Sequence, residues 1–282
     1  MITSMRSRAL PIAVIGFVVV FLTAVVWYAV AGGAALTDPA EILTRGAEAT
    51  SEADSFHVAL TANGSVTDPE TGSSMPLDGV SVEGDIDVSG EAAHVTFAVP
   101  FLLGLGGEAI VLGEDLYLLS SLSGNKWIHM PVSSGHEPSP VPTATLNPEQ
   151  IADKIAEFLA TEGVSAETLA DEPCGDATCY HVRLDISAEA LAAHPGAMPD
   201  MGEYASLVPE STFTGPLVVD VLFDYSGLWL REVSTSFAGE GAAETEQVRF
   251  TVTFSDYNAS FDISAPPADE VTEEGEFPLF PN

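Results

Sequence analysis

The sequence has very few basic residues. It contains 8 Lys and Arg against 42 Asp and Glu, which gives a formal net charge of −34, and no Lys or Arg lies between Arg45 and Lys126. A surface with this charge repels the phosphates of nucleic acids and of anionic lipid headgroups. The composition therefore excludes nucleic-acid binding. Adaptation to salt and simple solubility both remain as explanations of the acidity.

Long apolar runs are lacking after residue 31. The one such run extends from Leu10 to Ala31, follows Arg6 and Arg8, and is interrupted by a polar residue only at Thr23. As a helix it is about 33 Å long, enough to cross a bilayer core, and the arginines place residues 1–8 in the cytoplasm. We predict a single-pass anchor in the cell membrane within residues 1–35 and an extracytoplasmic remainder. Cleavage as a signal peptide at Ala29-Val30-Ala31 stays open and also leads to export.

Cysteine is nearly absent. The two cysteines, Cys174 and Cys179, lie in the run Cys-Gly-Asp-Ala-Thr-Cys. In an exported protein, two cysteines this close predict a disulfide that closes a turn before a strand. A metal site that also uses His181 is the alternative, but no fourth ligand lies nearby in the sequence.

Catalytic motifs are lacking. Gly104–Ala109 fits a loose dinucleotide pattern but leads into a predicted strand, and a run starting at Asp85 resembles a calcium loop but has Thr96 where Glu is required. The histidines form no metal-binding or nucleophile motif; they are His57, His94, His129, His136, His181 and His194. The sequence predicts a non-catalytic protein without a cofactor or a metal ion.

Amphipathic strands are abundant. Phe56–Asn63, Val80–Val88 and His94–Val99 alternate apolar and polar residues with a period of two, which is typical of antiparallel strands with one buried face. Further strands are predicted at Ala109–Leu112, Leu116–Leu119, Lys126–Met130, Tyr180–Ile186, Pro216–Phe223, Leu228–Phe237, Gln247–Asn258 and Phe261–Ser264. The apolar, glycine-rich run Val99–Gly107 is expected to form a loop between strands, which is either buried, at the lip of a cavity or dipping into the membrane.

Three helices are predicted between the strands. One begins at Asp38-Pro39, one covers residues 147–162 after Asn147-Pro148, and Ser187 caps a short one through Ala193. These elements predict an α+β fold in which one large, curved antiparallel sheet, a half-barrel, wraps around a few helices. The expected domain covers residues 36–266, and residues 267–282 form an acidic, flexible tail.

The order of several fragments resembles the LppX/LprG lipoprotein family, whose domain is similar to the LolA and LolB lipoprotein carriers. The resemblance covers roughly residues 38–270. It is carried by Ala53–His57, the Tyr117 strand with Lys126-Trp127-Ile128, the Asn147 helix, Cys179–Val182, Pro216–Val221, Trp229–Val233 and Thr253–Asn258 before Ala265-Pro266. The chain departs from that family in one respect. No Cys precedes Cys174, so the N-terminal helix takes the place of the family's lipidated Cys.

The resemblance implies a carrier of lipid or acylated ligands in a cavity between sheet and helices, with a transport partner in the envelope. An extracytoplasmic sensor or scaffold with the same fold and a filled core is the alternative. The expected lining consists of apolar residues on the elements nearest the cavity: Val99, Phe101, Leu103, Tyr117, Leu119, Ile155, Phe158 and Leu184.

Overall fold

The structure is a computed structural model that describes residues 36–67, 74–101, 104–121, 124, 126–131, 148–193, 216–237 and 248–273. These residues form two compact units. Unit 1 contains those within 36–52, 63–76 and 144–253, and unit 2 contains those within 53–62, 77–143 and 254–273. In the described ranges no helix has both the length and the apolar character needed to cross a bilayer. The predicted anchor, Leu10–Ala31, lies outside those ranges.

Unit 1 contains the three helices: α1 (Pro39–Ser51), α2 (Pro148–Leu159) and α3 (Ala188–Ala193). The α1 helix begins as predicted, because Asp38 Oδ1 accepts a hydrogen bond of 3.0 Å from the Ala40 amide and so satisfies one of the free amides of the first turn. Ser187 caps α3 in the same way, since its Oγ accepts from the Ala190 amide at 3.1 Å. The predicted extent of the second helix was three residues too long at its C-terminal end.

The strands of unit 1 form a sheet on which α1 and α2 pack. Its members are β9 (Val164–Thr168), β10 (Glu172–Cys174), β11 (Ala177–Ile186), β12 (Leu217–Asp224), β13 (Leu230–Phe237) and β14 (Val248–Ser255). β10, β11, β12, β13 and β14 are neighbours in that order, β9 also pairs with β11, and all pairings are antiparallel. α1 contacts α2, β9, β11 and β13. A short separate hairpin joins β2 (Ser65–Thr67) and β3 (Ser74–Pro76).

Cys174 and Cys179 form the predicted disulfide, with their Cα atoms 5.9 Å apart. The bond lies within the β10–β11 hairpin, where Cys174 pairs with Ala177 and Cys179 with Glu172. The following strand begins at Ala177 rather than at the predicted Tyr180, so the bond closes a hairpin instead of only preceding a strand.

The double variant Cys174→Ser/Cys179→Ser is expected to lower the free energy of unfolding by about 2 kcal/mol, the chain-entropy value for so short a loop. Urea unfolding of the oxidised wild type and the variant measures this difference. Reduced wild type is the matched control and should unfold like the variant. An unchanged midpoint in both would show that the hairpin is held by its backbone pairing alone.

Unit 2 is an antiparallel sheet with one parallel edge strand. Its members are β1 (Ser55–Asn63), β4 (Val80–Asp87), β5 (Ala92–Val99), β6 (Leu105–Leu112), β7 (Asp115–Ser120), β8 (Trp127–Pro131) and β15 (Val271–Glu273). They are neighbours in that order, and β15 runs parallel to β8. Apart from a 3-10 turn at Ala268–Glu270, the described part of unit 2 contains no helix.

The run Val99–Gly107, expected to form a loop, is only partly one, because Leu105–Gly107 already belong to β6. β6 begins at Leu105, and the Gly104 amide donates to the Pro100 carbonyl at 2.9 Å, so a tight turn joins β5 to β6. A Cβ on Gly107 would lie 2.0 Å from the Leu119 carbonyl oxygen. Glycine therefore permits the close approach of β6 and β7.

Two further predictions were wrong. Phe261–Ser264 is irregular, although its residues alternate, because no neighbouring strand pairs with it in the described sheets. Residues 268–273, assigned to the flexible tail, instead form the 3-10 turn and β15. The Lys126 ammonium also donates to the Asp269 carbonyl at 2.7 Å, so this segment is fastened to the edge of the sheet.

Candidate functional site

One face of the unit 2 sheet is apolar on all six antiparallel strands. Residues directly opposite each other in a sheet share a face, and every second residue along a strand returns to it. The registers place these residues on that face: Phe56, Val58, Leu60 and Ala62; Val80, Val82, Gly84 and Ile86; Ala93, Val95, Phe97 and Val99; Leu105, Gly107, Ala109 and Val111; Leu116, Leu118 and Ser120; Ile128 and Met130. We refer to this set as the apolar face of unit 2.

The apolar face of unit 2 carries no charged side chain, and Ser120 is its one polar residue. Leu60, Ala62, Val80 and Val99 are buried at one end of it. Most of its other members, including Phe56, Val95 and Leu118, are half-buried. A broad face of this kind, in a chain with 42 acidic residues, is the usual mark of a binding surface.

The sheet of unit 1 has an apolar face that differs in its burial. Val182, Val219 and Val233 are 0% exposed there, and Phe250 is also 0% exposed. Helices pack on that sheet, so its face is a filled hydrophobic core. Among the described residues of unit 2, no helix covers its apolar face, which makes that face the better candidate for a ligand.

The opposite face of the unit 2 sheet, called the polar face, carries all the charged side chains of these strands, although Ile110 and Trp127 are buried on it, and it holds three histidine–carboxylate pairs. His57 Nδ1 lies 2.7 Å from Asp85 Oδ1, His94 Nε2 lies 3.1 Å from Glu108 Oε2, and His129 Nε2 lies 2.8 Å from Asp115 Oδ1. These pairs join neighbouring strands in the manner of ordinary cross-strand pairs. All three histidines therefore lie on the face opposite to the apolar residues.

The predicted lining residues of unit 2 do not share one face. Val99 lies on the apolar face. Tyr117 and Leu119 lie on the polar face, where Tyr117 stacks on the His129 ring at a centroid distance of 5.0 Å. Phe101 is half-buried in the turn after β5, and Leu103 lies outside the described residues.

The other predicted lining residues belong to unit 1. Leu184 of β11 is 3% exposed and Ile155 of α2 is 7% exposed, so both are part of its buried interior. Phe158 of α2 is half-buried. Their role as ligand contacts remains a prediction.

Among the predicted lining residues only Val99 lies on the apolar face of unit 2, and the members that sequence reasoning missed include Leu116 and Leu118. The strand from Leu116 to Leu119 is apolar at every position, so the sequence pattern does not show which of its side chains lie on the apolar face. Pairing decides the question, because Leu118 lies opposite Ala109 and Ile128 whereas Tyr117 lies opposite His129. Asp115 and His129 lie on the same face as Tyr117, and these two polar residues were the sequence feature that could have identified the polar side of β7.

Unit 1 holds its ionisable side chains on the face opposite to its core. Asp220 accepts from His181 Nε2 at 2.8 Å and from Arg183 Nε at 2.9 Å. Burial alone raises the pKa of Asp220, but the hydrogen bonds from Arg183 and His181 outweigh it and lower that pKa overall. On β13, burial and then the nearby Glu172 raise the pKa of Glu232. This network fastens β10, β11, β12 and β13 together.

The described residues offer no evident reactive centre. No three His, Cys, Asp or Glu side chains converge among them in a way that could hold a metal ion. The run from Asp85 to Gly90 is a strand end and a turn, in which the Asp87 carboxylate accepts from the Gly90 amide at 2.7 Å.

Comparison with solved structures identifies the fold. LprF from Mycobacterium bovis matches with a TM-score of 0.50 and 16% identity, over 82% of this chain and 98% of that chain. The chain has the fold of the LppX/LprG lipoproteins. The lipoprotein LppX of Mycobacterium tuberculosis is similar to it with a TM-score of 0.47 and 16% identity, over 80% of this chain and 97% of that chain.

The likeness to LppX/LprG proteins concerns structure and not sequence. No protein-family model matches the chain, and no curated protein matches it. The predicted resemblance is confirmed at the level of the fold, and the α+β class with few helices and largely antiparallel strands is confirmed with it.

Proposed function

We propose that this chain is a non-catalytic envelope protein that binds the acyl chains of lipids or acylated molecules on the apolar face of unit 2. The observation that carries the proposal is the uncharged, half-buried face formed by β1 and β4–β8. The LppX/LprG fold supports an envelope role. In this role the protein transports or presents its ligand to a partner in the envelope.

Burial of hydrocarbon supplies the affinity. Each methylene removed from water contributes about 0.8 kcal/mol, so a chain of a dozen carbons gains roughly 10 kcal/mol before ordering costs are subtracted. No charged side chain lies on the face, and specificity for a headgroup needs placed polar groups. We therefore expect weak headgroup selectivity.

The apolar N-terminal stretch determines the cell compartment in which the ligand is bound. In this proposal Leu10–Ala31 crosses the cell membrane once, and residues from 36 onward lie outside the cytoplasm. A protein held in this way cannot diffuse across the envelope and must pass on its ligand while tethered. Cleavage near Ala31 would release the domain without changing its binding face.

Native mass spectrometry of the purified full chain tests the proposal. We expect protein ions with the added mass of one or more acyl lipids, and release of those lipids by organic extraction. Protein that stays free of lipid after purification from a lipid-rich membrane, and after incubation with phosphatidylcholine, would contradict the carrier function. That result favours the alternative of a sensor or scaffold.

A further inference from the structure

The first described residue of the chain is fastened to one end of the unit 1 sheet. Leu36 is 6% exposed, and its amide donates to the Tyr180 hydroxyl at 3.3 Å. The next residue is held too, because Thr168 Oγ1 donates to the Thr37 carbonyl at 3.0 Å. The chain therefore enters unit 1 at the level of Tyr180, near the β12–β13 turn.

Only a short segment separates this entry point from the apolar N-terminal stretch. That stretch ends at Ala31, and Gly32-Gly33-Ala34-Ala35 follow before Leu36. Fully extended, four residues reach about 14 Å at 3.3–3.6 Å per residue. If Leu10–Ala31 crosses the bilayer, the Tyr180 end of unit 1 cannot lie far from the membrane surface.

The side chains at this end suit a membrane interface. Tyr225 is 44% exposed in the β12–β13 turn, and its ring lies on the buried ring of Tyr180 with the centroids 4.1 Å apart. The Trp229 indole ring packs against the same turn, since a Cβ on Gly227 would lie 2.5 Å from it. Tyr and Trp are enriched at the headgroup level of membranes because their rings are amphipathic.

The β12–β13 turn exposes no charged side chain of its own. Its acidic residue, Asp224, is 0% exposed and is paired with Arg231 Nε at 2.8 Å, and its exposed residues are Tyr225 and Ser226. The Tyr225 hydroxyl donates to the Asp171 carboxylate, and this hydrogen bond raises the pKa of Tyr225 to about 12. The phenol therefore stays neutral at physiological pH.

We propose that the surface formed by Tyr225 and Trp229, next to the buried Tyr180, is the side of unit 1 that rests on the outer leaflet of the membrane, in contact with uncharged lipid headgroups. The inference rests on the anchor in the proposed function and adds the orientation of the domain. Zwitterionic lipid is the expected partner, because exposed Asp171 and Asp176 near the same end repel anionic lipid.

A fluorescent label compared at two sites tests the orientation. Ala170→Cys places the label at the Tyr180 level, beside the Leu169 amide that donates to the His181 carbonyl at 2.8 Å. Glu162→Cys is the matched control, since it is exposed and lies just before Val164, which pairs with Ile186 at the other end of the sheet. The two levels are about 20 Å apart at 3.3 Å per residue. The full chain is labelled without reductant and reconstituted in phosphatidylcholine vesicles that contain doxyl-labelled phosphatidylcholine.

We expect the doxyl lipid to quench the Ala170→Cys label several-fold more strongly than the Glu162→Cys label. Equal quenching, or stronger quenching at Glu162→Cys, in chains that float with the vesicles would overturn the orientation. Chains that fail to float would show that the anchor is absent, and the inference would fall with it. Neither result bears on acyl binding, which the mass measurement reports independently.

Discussion

Leu118→Asp is expected to remove acyl binding while the protein stays folded. Leu118 lies on β7 in the apolar face of unit 2, opposite Ala109 and Ile128. A carboxylate there has no basic partner on the face, and covering it with hydrocarbon costs several kcal/mol. The affinity for a fluorescent fatty acid should fall at least about tenfold, which corresponds to about 1.4 kcal/mol.

The matched control is Leu119→Asp, one residue further along the same strand. Leu119 is half-buried like Leu118 but lies on the polar face, opposite Glu108. The new carboxylate faces an acidic neighbour, which costs a few tenths of a kcal/mol in stability, but it does not touch the binding face. Unchanged affinity is therefore expected. If Leu119→Asp lost binding and Leu118→Asp retained it, the ligand would bind on the polar face of the sheet, and the proposal would be wrong.

Asp224→Ala is expected to cause a large loss of stability, about 3 kcal/mol in the free energy of unfolding. The carboxylate is fully buried, and it accepts from the Gly227 amide at 2.7 Å, the Ser226 amide at 3.0 Å and Arg231 Nε at 2.8 Å. Alanine leaves these donors without their acceptor, and such groups cost free energy when they stay away from water. The turn also holds Leu228 at a φ of 55°, which needs support from its surroundings.

Urea unfolding measures the loss, and two variants separate its causes. Asp224→Asn keeps an acceptor in the same place and removes only the charge, so its stability should lie between wild type and Asp224→Ala. Asp262→Ala removes an exposed carboxylate and should change stability by less than about 0.5 kcal/mol. A similar stability for Asp224→Ala and Asp262→Ala would show that the turn does not depend on this carboxylate.

Local chemistry made much of the fold predictable. The Asp38 cap, the Ser187 cap and the disulfide each depend on residues close together in sequence, and all three were predicted. The strands β1, β4 and β5 alternate polar and apolar residues, so both their positions and their buried faces followed from the pattern.

Whether a segment forms a strand also depends on a neighbouring strand to pair with, and the sequence of the segment alone does not show this. β9 and β15 have weak patterns of their own and form strands because β11 and β8 offer edges to them. Phe261–Ser264 has a clear pattern but no partner among the described strands. The candidate site shows the same dependence on pairing. Leu116–Leu119 of β7 are all apolar, so only the register of β7 with β6 and β8 shows which of these side chains lie on the apolar face.

Photocrosslinking tests the central claim most directly. The full chain is loaded with a fatty acid that carries a diazirine in its acyl chain, irradiated, and mapped by peptide mass spectrometry. We predict adducts on residues of the apolar face of unit 2, such as Val58, Val95 and Leu118, and none on their neighbours Thr96 and Leu119. Adducts confined to unit 1, or distributed equally between adjacent residues of β5 and β7, would contradict the claim that this face binds the acyl chain.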